Sequence, residues 1–356
     1  MTLDTIINSF EIEGSFVSSE TIVSGYINTT YKATTANRSY ILQKINHSIF
    51  KNVEELSKNI IRITEHIASK ASKGKDDFTL KVIPSKNNEG FYKDSEGNYW
   101  RMFNYLENST TFEVLESIEQ ANSLGKAFGN YQKLLIDLPA PNLFEILPDF
   151  HNTPLRIEHF NKSITVNFEN RKENAGEEIN YLLNLAPEMG DIVALGNQKK
   201  IPLRSIHQDA KLSNILFNTD NDDFCIIDLD TTMPGYLCYD FGDAVRTGMN
   251  TAGEEEKDIS KASLNMNLFK PFAKGYAKAS KQFITKEEIK TLVLGAKTIT
   301  YEQAIRFLAD YLNGDIYYQT SYPENNLIRT KVQIELLKDI IEKYDEMLDY
   351  VLKQYK

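Results

Sequence analysis

The chain has 356 residues, 50 acidic against 40 basic side chains, a net charge of −10 and 41% hydrophobic residues. That length exceeds what one compact core usually serves, so two subdomains are expected. The acidic balance argues against a nucleic-acid partner, whose phosphates call for excess positive charge, and the local cluster of Lys70, Lys73 and Lys75 does not change it.

No stretch reaches the roughly 18 apolar residues that suggest a membrane span, and the start, Met1-Thr2-Leu3-Asp4-Thr5, lacks a basic then apolar leader. The reading is a soluble cytoplasmic protein with no membrane association and no obligate protein partner. Cys225 lies in the apolar run Phe224-Cys225-Ile226-Ile227 and Cys238 follows Leu237, so both read as small core residues rather than a disulfide or a zinc pair.

In chain order, short β-rich runs at 19–24, 26–34 and 39–46, the last two separated by the turn Thr35-Ala36-Asn37-Arg38, predict an antiparallel meander. Asn52-Val53-Glu54-Glu55 reads as a capping box, and Leu56, Ile60, Ile63 and Ile67 continue it as a helix. Strands are predicted over 79–84 and 99–105, divided by Gly- and Asn-containing turns. Beyond Leu106 the pattern changes to amphipathic helices over 116–135, 175–185, 286–312 and 331–352. Among them, 203–206 leads into His207, and strands at 215–217 and 224–227 flank the polar turn 218–223. The expected class is α+β, with a small β-rich region over 1–105 and a larger, mainly helical region over 106–356.

The chemistry concentrates in His207-Gln208-Asp209-Ala210-Lys211-Leu212-Ser213-Asn214 and, after the hairpin, Ile226-Ile227-Asp228-Leu229-Asp230. Phosphoryl transfer from ATP needs a carboxylate at the attacking hydroxyl, a neutral oxygen ligand and a carboxylate on Mg²⁺, and a positive charge near the γ-phosphate. Asp209 suits the first task and Lys211 the last, while Asn214 and Asp228 suit the metal. His207 reads as a hydrogen-bonding support of the loop, with Asp230 in a structural role. Asp240-Phe241-Gly242 spells a metal motif, but it lies 26 residues after Asn214 whereas Asp228 lies 14 after it, at hairpin distance. Asp240 is therefore expected to support the catalytic loop.

The H-x-D-x-K-x-x-N run and the I-I-D-x-D strand end resemble protein-kinase-like enzymes, in the branch of aminoglycoside phosphotransferases, choline kinases and homoserine kinases. A closer resemblance, to the N-acetylhexosamine 1-kinases, rests on Ile227-Asp228-Leu229-Asp230-Thr231-Thr232-Met233-Pro234-Gly235 and Tyr239-Asp240-Phe241-Gly242-Asp243-Ala244-Val245-Arg246-Thr247-Gly248. Arg306-Phe307-Leu308-Ala309-Asp310-Tyr311-Leu312-Asn313-Gly314-Asp315-Ile316-Tyr317, Tyr40-Ile41-Leu42-Gln43-Lys44-Ile45-Asn46 and Asp149-Phe150-His151-Asn152-Thr153 extend it over most of the chain. The resemblance implies a two-lobed fold and ATP- and Mg²⁺-dependent phosphorylation of the anomeric hydroxyl of N-acetylglucosamine or N-acetylgalactosamine.

For the nucleotide, Gly25-Tyr26-Ile27-Asn28-Thr29-Thr30-Tyr31 offers backbone N–H groups and small hydroxyls where a phosphate-covering loop would lie, and makes Asn28, Thr29 and Thr30 candidates. An ordinary hairpin turn is the competing reading. Strand alternation groups Tyr40, Leu42 and Lys44 on one face. Lys44 is the candidate for the α/β-phosphates, with Gln43 in its place if the register shifts by one and Glu65 a candidate partner. For the acceptor, Arg306 stands among Ala304, Ile305, Phe307 and Leu308, where an unpaired charge is expensive. It either pairs with a carboxylate such as Asp310 or holds sugar oxygens. Tyr317 is a candidate apolar face for a pyranose. The alternatives are a phosphotransferase of the same fold acting on an aminoglycoside, choline or homoserine, and an ATP-binding pseudokinase.

Overall fold

The computed structural model describes residues 2–22, 27–70, 78–112, 114–221 and 223–356. Gly25 and Tyr26 of the candidate phosphate loop, and Lys73 and Lys75 of the basic cluster, lie outside them. Two compact units form: 1–111 with 137–148 and 215–233, and 112–136 with 149–214 and 234–356.

The first unit begins with α1 (Leu3–Ile7), followed by β1 (Phe16–Ile22), β2 (Thr29–Thr35) and β3 (Ser39–Ile45). Helix α2 (Val53–Lys70) comes next, then β4 (Val82–Ile83), β5 (Tyr92–Lys93), β6 (Tyr99–Asn104) and β7 (Ser109–Thr110). The strands form an antiparallel sheet in the order β1-β2-β3-β6-β4, with β5 also on β6. Alternation divides the sheet into two unlike faces. Ala33, Tyr40, Leu42, Trp100 and Met102 pack with Ile6, Ile7 and Phe10 around α1. On the opposite face Ile45, Arg101 and Phe103 line, with Leu56, Ser57 and Ile60 of α2, a cavity of only 10 Å³.

Helix α2 starts as the capping signal predicts, with Glu55 N–H donating to Asn52 Oδ1 at 3.2 Å. The box is half formed, because the Glu55 carboxylate turns to Lys58 at 3.0 Å. The strand expected over 79–84 shrinks to two residues. A second, three-stranded sheet joins β7 to the hairpin of β9 (Ile215–Asn218) and β10 (Phe224–Ile226), with Phe217 opposite Phe224. Cys225 is buried and unpaired, and burial pushes its thiol up to about 12.

The second unit is helical: α3 (Ile118–Leu135), α4 (Thr153–Val166), α5 (Gly176–Leu185), α6 (Asp191–Asn197), α7 (Leu237–Gly248), α8 (Met266–Ser280), α9 (Lys286–Leu312), α10 (Asn325–Glu342) and α11 (Tyr344–Gln354). Strand β8 (Arg204–Ile206) lies between α6 and the motif at 207–214, and β11 (Met233–Gly235) brings Gly235 against Ile206. The single helix expected over 331–352 is a correction: the chain breaks at Lys343, which leaves helical geometry at φ −92° and ψ 5°, giving α10 and α11. Neither proline nor glycine marks that break.

Long α9 is nucleated by a complete capping box at Thr285 and Glu288. It passes α7 where Gly295 meets the Cys238 carbonyl and Gly242 meets Gly295, and a Cβ at either glycine would collide with backbone. This close crossing fixes Asp240, in the first turn of α7, relative to Glu302 and Arg306 on α9. Phe241, Phe269, Phe272 and Tyr276 fill the core beside α7. Among the described residues no helix is long and apolar enough to cross a membrane.

Candidate active site

In the second unit, β8 ends in a turn held from several directions. Asp240 is fully buried and accepts hydrogen bonds from the backbone N–H of His207 at 3.0 Å and of Gln208 at 2.8 Å. Gln132 donates to the same carboxylate at 3.0 Å, and the Tyr276 hydroxyl donates to Gln132 in turn. Burial raises the Asp240 pKa, opposed by His207 and the backbone donors. His207, also fully buried, packs its ring edge-on against Phe128 and Tyr131 and accepts from Asp209 N–H through Nδ1 at 3.2 Å. Gln208 sits at φ 65°, a left-handed conformation costing a side-chain-bearing residue about 1–3 kcal/mol and kept only where surroundings over-determine it.

That turn delivers Asp209. Its carboxylate meets Lys211 Nζ at 2.9 Å and accepts from Asn214 Nδ2 at 2.9 Å, while the same amide also donates to the Asp209 carbonyl at 2.9 Å. Burial would raise the Asp209 pKa, but Lys211, His207 and the Asn214 hydrogen bond outweigh it and hold the carboxyl at about 2. Asp209, Lys211 and Asn214 therefore form one cluster around an ionised, part-exposed carboxylate. The short 3₁₀ turn at Leu212–Asn214 folds Asn214 back onto Asp209. With its Nδ2 group directed to Asp209, the Asn214 Oδ1 is the remaining side-chain atom able to bind a ligand.

Beside this turn lies a group built on His151, which in sequence stood out only as a loop residue and a candidate for acceptor contact. His151 places Nδ1 2.8 Å from Glu302 Oε1 and Nε2 3.2 Å from the Gln208 carbonyl. Thr153 donates to the other Glu302 oxygen at 2.9 Å, and the Tyr239 hydroxyl donates to the His151 carbonyl at 3.0 Å. Burial opposes the charge on Glu302, yet His151, Arg306 and Arg156 hold its pKa below the ordinary value.

Arg306 follows one helical turn after Glu302. Its guanidinium lies over the Phe150 ring at 5.3 Å and the Tyr318 ring at 5.8 Å, with a long hydrogen bond of 3.3 Å to Gln303. Asp310 is occupied elsewhere, accepting from the N–H groups of Ile316, Tyr317 and Tyr318 and from Asn326. Arg156 donates twice to the Phe150 carbonyl, and burial followed by the nearby Arg306 charge lowers its pKa. Neither arginine has an ion-pair partner among the described residues. Tyr317 is half exposed and lies edge-on to Tyr318.

In the first unit, Asp228 is exposed and holds φ 59° at the end of the returning hairpin. Two residues on, Asp230 is buried in a bidentate pair with Arg101 and accepts from Asn28 Nδ2 at 2.7 Å. Gln43 accepts from Arg101 Nε at 2.9 Å and donates to Thr30 at 3.1 Å, while Asn28 Oδ1 accepts from Asn46 N–H at 3.0 Å. Asn28, Thr30 and Asp230 thus come together through Arg101 and Gln43. Lys44 lies on the other sheet face, opposite Thr29 and Trp100 in register, with its ammonium 5.8 Å from the Trp100 ring. Glu65 is exposed and forms no pair with Lys44. Arg101 was overlooked in sequence, although the run Tyr99-Trp100-Arg101-Met102-Phe103 carries the same signal that marks Arg306: one charge among bulky apolar residues.

Residues 19–275 match the phosphotransferase enzyme family. The chain belongs to that family. The phosphotransferase is also similar to solved structures along nearly its whole length. An aminoglycoside phosphotransferase from Alicyclobacillus acidocaldarius is 11% identical, with 100% of this chain and 96% of that one covered at a TM-score of 0.60. A Plasmodium vivax ethanolamine kinase is 15% identical, covering 94% and 85% at a TM-score of 0.58. A spectinomycin phosphotransferase, solved with ADP and spectinomycin, is 13% identical, covering 96% and 94% at a TM-score of 0.55. At such identities the likeness is one of fold: a small sheet-rich N-terminal region and a larger helical C-terminal one, as in the kinase-like phosphotransferases.

Proposed function

We propose that this phosphotransferase is a cytoplasmic small-molecule kinase that moves the γ-phosphate of ATP onto the anomeric hydroxyl of an N-acetylhexosamine. The observation that carries transfer to a hydroxyl is the Asp209 cluster, in which Lys211 and Asn214 fix an ionised carboxylate at 2.9 Å each. Asp209 orients the acceptor hydroxyl and takes its proton as the bond to phosphorus forms; a carboxyl held at about 2 is a weak base, so orientation and late proton acceptance are its main contributions. Lys211 places positive charge beside it for the phosphoryl oxygens. Transfer is in-line and needs no covalent intermediate.

Asn214 and Asp228, paired by their spacing in sequence, are each of a type that would hold Mg²⁺. Asn214 offers a neutral amide oxygen and Asp228 an exposed carboxylate, the hard oxygen ligands that this ion takes in small number while keeping waters. Bound there, Mg²⁺ would neutralise charge on the phosphate oxygens. Nucleotide contacts from the first unit fall to the Asn28–Thr30 segment, with Gln43 and not Lys44 on the sheet face of the Arg101–Asp230 network.

For the acceptor, support comes from the motifs shared with the N-acetylhexosamine 1-kinases and from Arg306. A guanidinium set over two aromatic rings, with no carboxylate at ion-pair distance among the described residues, suits the oxygens of a neutral polyhydroxyl ligand, with Tyr317 as a neighbouring apolar face. The fold likeness to a spectinomycin phosphotransferase and an ethanolamine kinase favours a second reading, an amine-bearing acceptor. Arg306 and Arg156 would then face a like charge. The deciding experiment is phosphorus NMR of the product from ATP, Mg²⁺ and N-acetylglucosamine or N-acetylgalactosamine. Proton coupling that places the phosphate on C1 supports the proposal, and phosphorylation of amines alone overturns it.

A further inference from the structure

We infer that His151 is a positioning residue for phosphoryl transfer, acting through the backbone that carries Asp209. The inference rests on the reading of Asp209 as the residue at the acceptor hydroxyl. Both imidazole nitrogens face acceptors: the buried Glu302 carboxylate at 2.8 Å from Nδ1 and the Gln208 carbonyl at 3.2 Å from Nε2. A carbonyl only accepts, so the contact to Gln208 calls for the donor on Nε2, while the Glu302 carboxylate, which also accepts from Thr153, lies against the Nδ1 side of the ring. The ring is seated by Phe150 at 4.6 Å and Tyr239 at 4.9 Å.

The bond to Gln208 completes a clamp. Asp240 fixes the N–H groups of His207 and Gln208, the Gln208 side chain donates to the Pro234 carbonyl at 3.1 Å, and His151 fixes the carbonyl of Gln208. Gln208 is the left-handed residue whose ψ sets the direction of Asp209, and Asp240 restrains only the amino side of its peptide links. His151 restrains the carboxyl side. Because Glu302 is one turn before Arg306, the same bond ties the turn to the helix proposed to hold the acceptor, which brings hydroxyl and carboxylate to a common frame.

Two substitutions separate this role from simple packing. H151Q carries its amide nitrogen near the Nε2 position and keeps a donor for Gln208; H151N reaches only the Nδ1 position and loses it. We expect H151N to lower kcat about tenfold or more with KM for both substrates within about threefold, and H151Q to stay within about threefold of wild type. Amide hydrogen exchange supplies a readout that needs no turnover and so separates failure of this inference from failure of the functional proposal. H151N should exchange faster at 207–211 alone, and H151Q should not. Equal loss in both variants, accompanied by faster exchange throughout the second unit, overturns the inference, as does an H151N enzyme with wild-type kcat and exchange. If H151N does not fold, H151Q decides: retained kcat supports the donor role, and a tenfold fall at unchanged KM and melting temperature refutes it.

Discussion

Arg101→Met should unfold the first unit far more easily than a surface substitution, and the structure gives the size. Arg101 and Asp230 are each 3% exposed and joined by a bidentate pair, with one contact at 2.9 Å. Removing the guanidinium leaves a buried carboxylate with Asn28 as its one remaining donor of those three bonds, a loss of about 3–5 kcal/mol. Asp230→Asn strands the buried guanidinium at a similar cost. The double variant R101M/D230N removes both charges and leaves mainly the lost hydrogen bond of Gln43, about 1–3 kcal/mol. The singles should therefore exceed the double when added, with a coupling of about 3 kcal/mol or more. Urea titration followed by tryptophan fluorescence is the assay. Trp100, the single tryptophan, neighbours Arg101 on β6 and donates from Nε1 to Asp94 at 2.9 Å, so its emission reports this unit. Equal m-values across the variants would license comparison of midpoints. A double variant whose cost equals the sum of the singles within about 0.5 kcal/mol would refute the reasoning.

Asp209→Asn should lower kcat on the order of 10²–10⁴-fold while ATP affinity measured by calorimetry stays near wild type; unchanged kcat would remove Asp209 from its role. Its pKa is depressed to about 2, so the carboxylate's contribution is present at neutral pH and is lost only as pH falls through that value. An acidic limb of kcat attributable to Asp209 should accordingly lie below about pH 3. Lys211→Met, which removes the largest stabilising charge, should move that limb upward in a pH–rate profile. Arg306→Ala should raise the acceptor KM by roughly 10–100-fold, the loss of charged hydrogen bonds worth about 1.5–3 kcal/mol, and leave the ATP KM unchanged. An unchanged acceptor KM would return Arg306 to a packing role against Phe150 and Tyr318.

The sequence by itself determined the elements whose signals are local. Local pattern places the helix over 286–312, the capping signal at Asn52 starts α2, β-rich runs place β2, β3 and β6, and Cys225 and Cys238 read as buried from their apolar neighbours. The 207–214 motif was equally legible, because spacing along one loop fixes which side chains meet: Lys211 and Asn214 reach Asp209 within five residues.

Tertiary structure decided what depends on distant segments. Whether Lys44 or Gln43 faces the charged network was open in sequence, since strand alternation offers two faces without saying which meets the Asp228–Asp230 segment; pairing with β6 puts Gln43 with Arg101 and Lys44 with Trp100. The break at Lys343 has no glycine or proline to announce it. Arg306 was marked as a charge among apolar residues, but its release from Asp310 depends on the backbone turn at 316–318 taking that carboxylate. His151 and Glu302 are 151 residues apart, and Gln208 is 57 residues from His151. No local pattern encodes such a bond, because its partners are brought together by packing of distant segments, α4 against α9 among them.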